Sequence, residues 1–132
     1  MSKNIDFNLL MDNAKEASKT SYSPFSRFAV GAAVLASSGK IYRGCNVENS
    51  SFGLTICAER CAIFKAVSEG EKEILAVAIY SPNTDSCYPC GACRQVLYEF
   101  QGDEEEISVV TEQMGQLEIK KLSYFLPCGF KI

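Results

Sequence analysis

Apolar residues Phe7, Leu10, Met11, Ala14 and Ala17 recur every three or four positions, with Asp12, Lys15, Glu16 and Lys19 between them. That period predicts an amphipathic helix over residues about 6 to 20, its apolar stripe turned to one face of a sheet. Ser23-Pro24 marks its outer limit, because the residue before a proline is pushed out of helical backbone. Ala29 to Leu35 and Ile41 to Asn46 are short β-type runs on either side of Ser37-Ser38-Gly39-Lys40, a turn-forming cluster, and together predict a hairpin. Asn46-Val47-Glu48-Asn49 leaves the end of the second strand. A loop from Ser50 to Ile56 follows, with Thr55 the expected N-cap of the next helix.

Cys57 to Glu69 is apolar around most of its circumference, with Gly70 placed to end it, so the helix expected there is buried on more than one side. Leu75 to Tyr80 is a continuous apolar run bounded by Glu73 and Ser81-Pro82-Asn83, the pattern of a central strand covered on both faces. Strand, helix and strand in that order predict a βαβ unit. Pro89 is expected at the first position of a further helix, where its missing N–H costs nothing, with Cys93, Leu97 and Phe100 on the buried stripe and an end near Gly102. Asp103 to Glu106 is a run of like charge and is expected as a solvated loop. Strands are expected at Ile107 to Val110 and Gln116 to Lys120, and a short helix at Leu122 to Leu126 before Pro127.

At 132 residues, with no repeat, linker or low-complexity segment, the chain 1–132 is expected to form a single domain around one core. No apolar run approaches the roughly 18 residues that span a bilayer. Met1 to Asp6 lacks the apolar segment of a signal peptide, which points to the cytoplasm. A net charge of −3 argues against a grip on a nucleic-acid backbone and favours a small neutral substrate. Seven cysteines without a secretion signal point to metal or catalysis before disulfides. Histidine is absent, so acid/base and metal chemistry fall to Cys, Asp and Glu.

Cys90 and Cys93 are three residues apart and can share one ion. A C-x-x-C alone also serves thiol–disulfide exchange. A third cysteine, Cys57, also lies at an expected helix start, and two such starts at one end of a parallel pair would aim three thiols at one zinc ion. Three protein ligands leave the fourth tetrahedral position open, as catalytic zinc requires. Cys45, Cys61, Cys87 and Cys128 are read as packing or surface thiols. Three thiolates on a divalent ion leave a charge of −1, which Arg60 would offset by hydrogen-bonding sulfur, unless it is a surface arginine. Glu59 is the candidate proton carrier, and in that role it requires Cys57 in the first turn; the alternative is a solvated first-turn glutamate.

Cys57-Ala58-Glu59-Arg60 with Pro89-Cys90-Gly91-Ala92-Cys93-Arg94-Gln95 resembles the zinc nucleoside deaminases, and Asn46-Val47-Glu48-Asn49 makes the chain similar to the short, homotetrameric cytidine deaminases. The likeness runs from Tyr22-Ser23-Pro24-Phe25-Ser26 through Val30-Gly31-Ala32-Ala33 to Leu126-Pro127. It implies an α/β fold, a three-layer α/β/α sandwich on a mixed five-stranded sheet. It also implies one Zn2+ per subunit on Cys57, Cys90 and Cys93, with Glu59 moving protons and contacting ring N3. Asn46 and Glu48 would bind the ribose hydroxyls, with Val47 also among the substrate-binding residues, Phe28 would pack on the base, and backbone near Ala58 would meet the pyrimidine edge. Phe130 matches an aromatic that enters a neighbouring subunit's site; for Phe28 and Phe130 the alternative is an ordinary core aromatic. Phe52 stands where many relatives have tyrosine, which removes a hydroxyl contact, and Ile132 follows Phe130 by two residues. The implied activity is hydrolytic deamination of cytidine and 2′-deoxycytidine. Its rivals are another small zinc aminohydrolase such as a blasticidin-type deaminase, a structural zinc module, and a C-x-x-C redox protein.

Overall fold

A computed structural model describes residues 4–132, so part of the Met1-to-Asp6 stretch lies outside the described residues. Helix α1 spans Phe7–Ser18 and is started by Asp6, whose carboxylate accepts the Leu9 N–H at 3.0 Å. It ends ahead of Ser23-Pro24, with the Lys19 N–H returning to Ala17 and Glu16. Strands β1 (Gly31–Ala36) and β2 (Ile41–Cys45) form the expected antiparallel hairpin, turned by Gly39 at φ 94°. Helix α2 (Ala58–Ser68) ends before Gly70, whose φ of 105° suits glycine alone, and strand β3 covers Ile74–Tyr80. Helix α3 (Gly91–Glu99), the hairpin β4 (Ser108–Gln113) with β5 (Gln116–Lys121), and a short α4 (Leu122–Phe125) complete the chain.

The sheet order is β2-β1-β3-β4-β5, with β3 and β4 parallel and every other neighbouring pair antiparallel. Alternation along the strands divides the core between the two faces. Ala33, Ala76, Ala78 and Val110 face Leu10, Met11 and Ala14 of α1. Ala32, Val34, Val77, Ile79 and Val109 face Ala58, Ala62, Ile63 and Ala66 of α2, Leu97 of α3 and Leu122 of α4. This is the expected three-layer arrangement. Two glycines let the helices close on the hairpin. A Cβ on Gly31 would stand 2.0 Å from the Ala14 carbonyl of α1, and one on Gly44 would stand 2.6 Å from the Ala58 carbonyl of α2.

Four local expectations change. Thr55 closes a 3-10 turn at Phe52–Leu54, and the N-cap of α2 is Cys57. Pro89 lies outside α3, one residue before its N-cap Cys90. Glu106 is not merely solvated: its carboxylate accepts the Ser123 N–H at 3.0 Å in the first turn of α4, where the helix dipole favours negative charge. The outer flank of α2 is open, with Phe64 exposed.

Gly31→Ala is expected to cost about 3 kcal/mol in urea unfolding, at the upper end of ordinary overpacking because backbone must move. Gly53→Ala, where an added Cβ meets nothing within 4 Å, is the control and should shift stability by less than about 0.5 kcal/mol.

Candidate active site

β2 and β3 are each antiparallel to β1, so they run parallel to one another with β1 between them. The helices that follow them therefore begin at the same end of the sheet. Their N-caps, Cys57 and Cys90, have extended backbone and spend no side-chain hydrogen bond on capping, which leaves both sulfurs available. An N-cap side chain faces the residue at N3. At α3 that neighbour is Cys93, with 3.5 Å between the sulfurs; at α2 it is Arg60, whose Nη2 donates to Cys57 Sγ at 3.3 Å. Across the two helices Cys57 Sγ lies 3.8 Å from Cys90 Sγ, and all three sulfurs lie within 4.8 Å of one another.

These residues fit a zinc ion. Tetrahedral coordination at about 2.3 Å separates sulfurs by about 3.8 Å, close to the 3.5 and 3.8 Å separations found here. Cys93 and then Arg60 and Cys90 hydrogen-bond the Cys57 sulfur and draw its pKa down to about 5 against the opposing effect of burial. Cys93, the donor to that thiolate, is raised in turn. The arginine is held more firmly charged by the same sulfurs. Its Nε is buried and has no hydrogen-bond partner among the described residues.

Glu59 is the second residue of α2 and only 4% exposed. Burial, reinforced by the negative charge of Cys57, pushes its pKa up to about 7. With Cys57 outside the helix by one residue, the two side chains approach the site from the helix end, as the proton-carrier role demands. A cavity of about 410 Å3 opens on this group, within the range of small-molecule sites. Its walls join Cys57, Ala58, Glu59 and Cys90 to Phe28, Asn46 and Glu48.

Asn46 and Glu48 already carry load within the chain. The Asn46 amide accepts the Val30 N–H at 3.0 Å and a Ser21 hydroxyl, and donates to the Phe28 carbonyl at 2.8 Å. Glu48 accepts the N–H groups of Phe25 and Ser26 at 2.9 and 3.2 Å on one oxygen and the Ser26 hydroxyl on the other. The Ser26 bonds hold its carboxyl below the usual range. Val47 is not a wall residue; its backbone pairs with Ile56 instead. Phe130 is also absent from this wall and is 69% exposed. Ser26, Val30, Thr55, Cys87 and Tyr88 line the cavity unforeseen. Adjacency to Pro89-Cys90 was the available signal for the last two. Burial pushes the Cys87 thiol up to about 12, so it serves as an apolar wall.

An α/β/α layer structure with a three-thiol centre, an open cavity and a buried carboxylate defines a metal-dependent hydrolase. The sequence model described as the cytidine and deoxycytidylate deaminase zinc-binding region matches residues 6–110. The chain is 42% identical to a cytidine deaminase of Sporosarcina psychrophila, over 91% of this chain and 97% of that one. It is 50% identical to one of Mycobacterium tuberculosis, over 76% of this chain and 75% of that one. The crystal structure of cytidine deaminase from Mycobacterium tuberculosis superposes with a TM-score of 0.84 at 40% identity, covering 98% of this chain and all of that one. The structure from Burkholderia pseudomallei gives 0.86 at 38%, covering 96% of this chain and all of that one. The chain belongs to the cytidine and deoxycytidylate deaminase family.

In the metal-free protein, the Cys57 thiolate should persist down to about pH 5, because its pKa is depressed and the charged form is lost only as pH falls through that value. Arg60→Met should move the midpoint toward the ordinary thiol value of about 8.5, read from ultraviolet thiolate absorbance. An unmoved midpoint would show that Arg60 does not hold the sulfur charged.

Proposed function

We propose that the protein catalyses zinc-dependent hydrolytic deamination of cytidine and 2′-deoxycytidine to the uridine nucleosides and ammonia, a cytoplasmic step of pyrimidine salvage. Glu59 carries this reading: a carboxyl 4% exposed, in the wall of a cavity that also holds three sulfurs spaced for one ion. Cys57, Cys90 and Cys93 would hold the zinc. Among the described residues no fourth His, Cys, Asp or Glu joins them, which favours an open coordination position over a structural site. Bound zinc supplies a Lewis acid that makes water a nucleophile near neutral pH. Glu59 would take a proton from the attacking water and deliver it to N3 of the ring, then take the second proton from the new C4 hydroxyl and give it to the amino nitrogen as its bond to C4 breaks. A carboxyl poised near neutrality can do both. Arg60 reduces the negative charge that three thiolates impose.

The rest of the wall suits a nucleoside. Phe28 offers an aromatic face for the base, and the backbone at Ala58 lies at the start of α2, where N–H groups lack intrahelical partners. Glu48 Oε2 accepts one hydrogen bond and keeps a lone pair for a sugar hydroxyl, with Asn46 beside it. Among the described residues the cavity has Glu48 and Glu59 in its wall and neither lysine nor arginine, so it favours a neutral nucleoside over a phosphorylated one.

A homotetramer with sites shared between subunits is part of the same proposal. Phe25, Phe52, Leu54, Phe64 and Phe130 are all exposed, with Phe52 at 72% and packed edge-on against Phe25 beside the cavity mouth. The exposed Phe25–Phe52 pair supports an interface at this edge. Val47, exposed and outside the wall of its own cavity, fits the same surface.

Purified protein should contain zinc and convert cytidine with the absorbance change of uridine formation; a zinc-loaded protein inert on cytidine would sink the proposal. Glu59→Gln should retain zinc and fold while losing about 10³-fold or more in kcat. Sedimentation equilibrium should return four times the chain mass, and Phe130→Ala should raise KM without unfolding the subunit.

A further inference from the structure

We propose that Arg94 is a positioning residue for the metal centre, pinning the Tyr88–Cys90 segment to α4 so that Cys90 presents its sulfur to the ion. This rests on the zinc reading above. Arg94 follows Cys93 directly on α3 and binds two successive carbonyls of the ligand loop. Its side-chain Nε donates to Pro89 O at 2.7 Å, and its backbone N–H donates to Cys90 O at 2.9 Å. The Pro89 oxygen lies in the peptide plane that ends at the Cys90 nitrogen, so holding it fixes the orientation in which the chain enters Cys90. The proline ring restricts the preceding dihedral as well. Cys90 needs such support because it is exposed and its side chain makes no capping bond.

The other arm of the guanidinium reaches α4. Nη1 donates to the Phe125 carbonyl at 2.9 Å, and the guanidinium carbon stands 5.3 Å from the centroid of the Phe125 ring. That carbonyl ends α4, where a cation is favoured and a partner is otherwise lacking. The Phe125 ring packs 5.7 Å from Tyr88, whose hydroxyl also receives the Gln113 side-chain amide from the end of β4. Glu106 fixes the opposite end of α4 through Ser123. The loop before Cys90 is thus held from α3, α4 and β4, with Arg94, among the described residues, the one side chain hydrogen-bonded to both the loop and α4. Only a planar fork can make both bonds at once; an ammonium at this position would serve one carbonyl or the other.

Full-length wild type, Arg94→Met and Arg94→Lys should be compared for zinc affinity by competition with a chromophoric chelator, below the melting temperature of each metal-free protein. Cobalt-substituted spectra supply a second readout. Arg94→Met should raise the zinc Kd about 10- to 100-fold and shift the cobalt–thiolate band, and Arg94→Lys should recover only part of the loss. A zinc Kd within twofold of wild type overturns the proposal, whatever happens to Tm, because a purely structural arginine would leave metal affinity in the folded state unchanged. If Arg94→Met does not fold, Arg94→Lys decides alone: a raised Kd supports the role and an unchanged one refutes it. Failure of the wild type itself to bind zinc would instead defeat the proposed function.

Discussion

Because β1 lies antiparallel to both of its neighbours, the strands that feed α2 and α3 point the same way, and both helices start at one end of the sheet. The sulfurs of Cys57 and Cys90 can meet at 3.8 Å only under that constraint. Each helix start carries a partial positive charge, which favours thiolate over thiol and partly repays the concentration of negative charge. Arg60 supplies the rest from the N3 position of its own helix, through Nη2 on Cys57. Remove β1 from between the two parallel strands and neither the cluster nor its counter-charge has a reason to form.

Close approach of α2 to the sheet sets the electrostatics of Glu59. Gly44 lies against the backbone of Ala58 and Ala62, and no other residue lets the helix come so near. The first turn is thereby buried, with Ala58 and Glu59 both inaccessible. A carboxyl taken out of water resists ionisation, and a neighbouring thiolate adds to that resistance. The glycine, the burial and the raised pKa are therefore consecutive steps of one cause that starts in the sequence of β2.

The element order, the first hairpin and the metal cluster were legible because each leaves a local periodic or spaced signal, such as the apolar run of Leu75 to Tyr80 or the C-x-x-C. Helix starts were less legible. Thr55 and Pro89 carry good propensities for N-cap and first-turn positions, but the sulfurs had to face each other across the sheet, and that tertiary demand moved both caps onto cysteine. The roles of Asn46 and Glu48 inside the chain were not legible at all. Their partners, Val30 and Phe28 for one and Phe25 and Ser26 for the other, are 16 to 23 residues away and carry no pairwise signal in a single sequence. Glu106 looked like one more charge in an acidic run because its partner, the Ser123 amide, is 17 residues downstream.

Those long-range bonds divide the cavity into two mechanically different halves. The metal half is built from helix starts, packed cores and charge-assisted bonds, and its donors need not move. The half that holds Asn46 and Glu48 hangs on the Ser21–Phe28 loop, which is hooked to these two residues by hydrogen bonds that are mostly exposed and individually weak. A ligand hydroxyl that approaches Glu48 meets an oxygen that already serves Ser26, so it must share that acceptor or displace the serine. Displacing it would also free the Phe28 N–H, held by the same Ser26 hydroxyl at 3.0 Å, and leave Phe28 anchored through its carbonyl on Asn46. If Glu48 reads the sugar as proposed, sugar recognition and placement of the aromatic wall are tied through one serine, whereas Glu59 is held apart from both at the start of α2.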